Sequence, residues 1–165
     1  MKMALSVWIT VLVIVGSLAP AAMAAPLVTF DGGIGVNPVS NAGTAAAGAT
    51  PNSVLGVSPG GQPWVISGLK ARVTDNGNIT VQGRGLLLAG GNTIGTNGGQ
   101  SVFATLFCGT AAHSTNPVGV ALEPDGDFKI DDTLSPAPPN PCTNPVLLIR
   151  STANQRWFAA GIPGE

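Results

Sequence analysis

The feature that most restricts the fold lies between residues 68 and 84. Leu69, Ala71 and Val73 alternate with Lys70, Arg72 and Thr74, Asp75-Asn76-Gly77-Asn78 follows, and then Ile79 and Val81 alternate with Thr80 and Gln82. Alternation of period two places apolar side chains on one face of a strand and polar ones on the other. Asn-Gly supplies the positive φ that a tight hairpin turn needs, so the segment predicts two antiparallel strands with one wet face. Gly83 and Gly85 interrupt the second strand, and Leu86-Leu87-Leu88 reads as its end, buried on both faces.

Nothing elsewhere competes with a β reading. No apolar spacing of period 3.6 occurs after the first twenty-odd residues. Short apolar segments recur between turn signals instead: Leu27–Val36 broken at Gly32-Gly33, Ser101–Cys108, Val118–Leu122, Phe128–Leu134, Val146–Arg150 and Trp157–Ile162. Pro124-Asp125-Gly126 predicts a second hairpin between Val118–Leu122 and Phe128–Leu134. Val73-x-x-Asn76-Gly77-Asn78-Ile79 and Leu122-x-x-Asp125-Gly126-Asp127-Phe128 share their turn chemistry. Two independent uses of that chemistry explain the match more simply than an internal repeat. The Pro-rich stretch 136–145 is excluded from helices and central strands. Residues 37–63, rich in Gly, Ala and Pro, predict a long loop with one short strand near Val54–Val57. The expected architecture is all-β: a single β-sandwich of about eight short antiparallel strands.

The first 24 residues predict something other than fold. Lys2, an apolar run from Ala4 to Leu18, Pro20 and the small-residue exit Ala22-Met23-Ala24 are the parts of a secretory signal peptide. The run is shorter than the ~20 residues a membrane span needs. Residues 25–165 are then one exported domain with no stable membrane anchor, placed outside the cell or in a periplasm. Its two cysteines, Cys108 and Cys142, predict one disulfide in an oxidising compartment. Charged residues make up 9% of the chain and the formal net charge is −1, which provides no electrostatic footprint for nucleic acid. Low charge with many glycines and prolines can signal disorder, but 44% apolar residues and a mean hydropathy of +0.35 supply a core.

Chemistry-bearing residues are sparse. Five of the eight acids fall between Glu123 and Asp132, and Asp125, Asp127, Asp131 and Asp132 are the candidate Ca²⁺ ligands. Their spacing fits no EF-hand, because Lys129 and Ile130 occupy the positions of a ligand and the turn glycine. A solvated strand face, with Asp127, Lys129 and Asp131 outward and Phe128 and Ile130 inward, explains the pattern more plainly. The Gly90–Gly99 stretch lacks the Lys-Ser/Thr of a phosphate loop and has no following helix. His113 is the one histidine, on an expected loop beside Ser114, with no nucleophile elbow in the chain. A glycosidase pair drawn from Asp31, Asp131 and Asp132 depends on a separation that sequence does not give. Trp64 and Trp157 are weak candidates for a sugar-stacking platform, filling the core being the plainer reading, and His113 completes the ligand-binding candidates. No cofactor is expected.

Several longer segments, GRGLLLAGG (83–91), IGTNGGQSV (94–102), LFCG (106–109), PDGDFKIDD (124–132), LSPAPP (134–139), PVLLIR (145–150) and RWFAAGI (156–162), resemble a group of small secreted bacterial β-rich proteins of uncharacterised function. The resemblance implies export, a β-rich domain and a cysteine pair, and it implies no activity. The expected function is a secreted, non-catalytic domain that binds a surface polymer, glycan or extracellular protein. A structural subunit of an envelope or assembly is the first alternative, and a hydrolase or isomerase with an unfamiliar site the second.

Overall fold

The computed structural model describes residues 24–40 and 49–164. The expected signal peptide falls outside the described residues except at its last position, Ala24. Eleven strands are described: β1 (Pro26–Gly35), β2 (Trp64–Val65), β3 (Gly68–Thr74), β4 (Asn78–Arg84), β5 (Leu87–Leu88), β6 (Ser101–Cys108), β7 (Ala111–Ser114), β8 (Val120–Ala121), β9 (Phe128–Thr133), β10 (Pro145–Ser151) and β11 (Trp157–Pro163). No helix is found among the described residues, and so none that could cross a membrane.

Nine strands form one antiparallel sheet in the order β7-β6-β10-β11-β1-β3-β4-β9, with β8 beside β7 on β6. The sheet curls until its outer strands meet. Ser114, at the end of β7, exchanges two backbone hydrogen bonds with Ser135, just past β9, at 3.0 and 2.8 Å. The Asn116 N–H donates to Asp132 Oδ2 at 2.8 Å, fastening the same seam. The all-β expectation holds, as a sandwich curled almost into a barrel. β2 and β5 pair separately.

The core lies inside the curl. Leu69, Ala71 and Val73 of β3, Ile79 and Val81 of β4, and Phe128 and Ile130 of β9 are all buried, while Lys70, Arg72, Gln82, Arg84, Lys129 and Asp131 between them are exposed. Each fully buried leucine or isoleucine contributes roughly 1.5–3 kcal/mol of transfer free energy. Across the sheet, Val102, Ala104 and Leu106 of β6 and Leu147 and Ile149 of β10 are fully buried. These two strands are covered on both faces, since Phe103, Thr105 and Leu148 are also at most 1% exposed.

The Cys108–Cys142 disulfide is present, with Cα atoms 4.9 Å apart. It joins the end of β6 to the Pro-rich connection just before β10, where Pro145 pairs with Cys108.

Four local expectations need correction. Leu27–Val36 is one strand, not two: the chain passes Gly32-Gly33 with a bulge between Phe30 and Gly33, because β11 and β3 flank β1 and hold it extended. The predicted strand at Val54–Val57 is a single bridge within the loop. Leu86–Leu88 does not extend β4: Gly85, at φ +61°, turns the chain so that Leu87 and Leu88 pair with β2. The Asp125-Gly126 turn exists, but its flanks do not form a hairpin with each other. β8 pairs with β6 and β9 pairs with β4, so long-range pairing displaces the local one.

Candidate ligand-binding surfaces

The sequence candidates end up in places the local pattern does not reveal. Trp64 is 5% exposed and stacks on Phe158 at a centroid distance of 4.2 Å. Trp157 is 4% exposed, and its Nε1–H donates to the Asn52 carbonyl at 2.8 Å. Neither ring offers a face to solvent, so neither is a sugar platform. Trp157 instead pins the long loop to the sheet, helped by the Pro59 bridge to Trp157 and by buried Val57.

His113 lies on a strand, β7, rather than on a loop, opposite Leu106. The segment Ala111–Ser114 carries no apolar alternation, and its pairing comes from the β6 edge beside it. Its ring is 4% exposed. Nδ1 lies 2.8 Å from the Pro136 carbonyl, which can only accept, so Nδ1 carries the proton. Nε2 is buried without a partner among the described residues. Ser114 bonds Thr105 through its hydroxyl, so the neighbouring hydroxyl is also committed.

The four acidic candidates are not brought together. Asp127 Oδ1 accepts from the Gly85 N–H at 2.9 Å, Asp125 Oδ1 accepts from the Asp127 N–H, and Asp132 accepts from the Asn116 and Thr133 N–H groups. Asp131 lies 4.0 Å from Lys129 Nζ on the open strand face. Each carboxylate positions local backbone or meets solvent, and no three His, Cys, Asp or Glu side chains converge among the described residues. Asp31, on β1, is separated from Asp131 and Asp132 by the width of β3 and β4.

Two surfaces do concentrate recognition groups. The first is the outward face of β1, β3 and β4. The register places Asp31 beside Lys70 and Gln82, and Thr29 beside Arg72 and Thr80. Two adjoining depressions of about 740 and 800 Å³ run along this face and share Asp31, Lys70 and Gln82. Arg72 lines the first and Arg84 the second. Lys70 Nζ lies 3.8 Å from Asp31 Oδ1, with both side chains at least 70% exposed, so the pair is solvent-screened and easily reorganised. The alternation that revealed the hairpin also reveals this face. Its union with Thr29 and Asp31 of β1 is set by the sheet order.

The second surface is a cavity of about 370 Å³ between residues 56–58 and the β10–β11 turn, lined by both Arg150 and Arg156. Sequence reasoning missed it, because the arginines gain their significance only when the long loop folds over them.

Comparison with protein-family models, curated proteins and solved structures finds no match to this chain.

Proposed function

We propose that this chain is an exported, non-catalytic domain that binds an extracellular glycan across the outward face of β1, β3 and β4. The observation that carries this reading is the pair of adjoining depressions along β3 and β4. A seven-residue strand spans roughly 23 Å, a length suited to a chain-like ligand rather than a small molecule. Asp31, Lys70, Arg72, Thr80, Gln82 and Arg84 supply carboxylate, ammonium, guanidinium, hydroxyl and amide groups, which match the mixed donors and acceptors of sugar hydroxyls. The disulfide fits an oxidising compartment outside the cytoplasm. Enclosure of His113 and the separate engagement of the acids support a non-catalytic role. The meeting of the sheet's two sides at Ser114 and Ser135 leaves little free edge for strand-by-strand assembly, which weighs against the structural alternative.

The test is a panel of immobilised wall polymers and soluble glycans probed with the exported protein and with Lys70→Ala/Gln82→Ala. Both positions are exposed, so the double variant folds. Binding by the parent protein, weakened at least tenfold in the variant, is expected. Binding that the double substitution leaves unchanged refutes this face, and binding to no glycan refutes the proposed function.

A further inference from the structure

A cation at a protein surface ordinarily meets a carboxylate, and the Arg150–Arg156 cavity holds none. Arg150 closes β10 one residue before its end, and the turn through residues 152–155 brings Arg156 back beside it, with the Ser151 N–H donating to the Arg156 carbonyl at 2.8 Å. Gly56, Val57 and Ser58 of the long loop form the opposite wall, and Asn154 and Gln155 complete the lining. No acidic residue lines the cavity, and neither arginine has an ion-pair partner among the described residues.

Arg150 is held in place on three sides. Its Nε–H donates to the Gln155 carbonyl at 2.9 Å, Nη1 donates to Thr105 Oγ1 at 3.2 Å, and its guanidinium lies 5.1 Å from the Phe103 ring centre. Arg156 Nη1 reaches the Pro59 carbonyl at 3.5 Å. Nη2 of both side chains finds no protein acceptor among the described residues. Two planar forks with spare N–H donors, one of them positioned in advance, form a receptor for an oxyanion, because such forks match its oxygen spacing.

We propose that this cavity is a binding site for a doubly charged tetrahedral oxyanion, free phosphate or sulfate. Two guanidiniums with no internal counter-charge are matched by two negative charges, which a single carboxylate does not supply. Burial lowers the Arg150 pKa from its ordinary value. The site stands on β10, the β10–β11 turn and residues 56–58, apart from β3 and β4, and does not depend on the glycan reading.

The experiment is a titration of the arginine Nε–Hε resonances of the labelled protein with inorganic phosphate, against sodium chloride at matched ionic strength. Saturable shifts confined to Arg150 and Arg156 are expected, with sulfate behaving like phosphate and acetate binding at least tenfold more weakly. Arg156 is exposed, so Arg156→Gln leaves the fold intact and weakens phosphate at least tenfold. Arg156→Lys, which keeps charge without the fork, falls between the two. Arg150→Gln removes a partly structural side chain, so the Arg156 variants decide the matter. Shifts that follow ionic strength alone, shifts centred on Arg72 or Arg84, acetate equal to phosphate, or unchanged affinity in Arg156→Gln would each overturn the proposal.

Discussion

Gly77 and Gly126 form a built-in controlled experiment. Both sit at φ +84° in tight turns and both are buried. Each carbonyl accepts from a buried leucine N–H, Leu134 at 2.9 Å for Gly77 and Leu86 at 3.0 Å for Gly126. They differ in the space around an added methyl group. At Gly77 a Cβ would meet Pro138 Cδ at 3.4 Å and nothing nearer, an ordinary contact. At Gly126 it would lie 2.6 Å from both the nitrogen and the oxygen of Leu86, which are backbone atoms with no rotamer to escape into. Gly77→Ala therefore costs only the left-handed conformation, about 1–2 kcal/mol. Gly126→Ala costs the same and also drives the turn off the Leu86 segment. That movement breaks the Leu86–Gly126 hydrogen bond and leaves a buried N–H unsatisfied, a further ~1–3 kcal/mol. It also strains the Gly85–Asp127 bond. The expected totals are about 1–2 kcal/mol for Gly77→Ala and about 2–5 kcal/mol for Gly126→Ala. Urea unfolding followed by the fluorescence of Trp64 and Trp157, with both variants fitted at a common m-value, measures the gap. Equal destabilisation, within ~0.5 kcal/mol, would refute the argument that docking against Leu86 distinguishes the turns.

Two further outcomes follow from the same structure. Replacing Cys108 and Cys142 together by Ser removes a crosslink spanning 34 positions, worth about 4 kcal/mol by loop-closure entropy, so the denaturation midpoint drops; a loss below ~1 kcal/mol would show that β6–β10 pairing already confines the unfolded chain. Trp157→Phe keeps the buried ring but deletes the donor to Asn52, which costs about 1–2 kcal/mol and opens residues 49–63 to proteolysis; unchanged cleavage there would mean that the loop is held without this bond.

Local pattern determined a good deal of this protein. The β3–β4 hairpin, the strands β6, β10 and β11, the sidedness of β9 and the cysteine pair were all legible, because period-two alternation and turn chemistry act between residues close in the chain. So was the polar face of β3 and β4, the other half of the same alternation. The tertiary structure decided what depends on distant neighbours. Asp125-Gly126 turns as its residues dictate, but whether its flanks pair together is a competition with the β4 and β6 edges, and those edges win. Ala111–Ser114 becomes a strand because β6 offers it an edge, and this carries His113 into the interior. The Trp residues carry no mark of burial in their spacing; Phe158 and Asn52 enclose them from far along the chain. Arg150 and Arg156 share a cavity only because residues 56–58 fold across the β10–β11 turn. Charge without a counter-charge is a property of three-dimensional proximity, and no sequence window contains it.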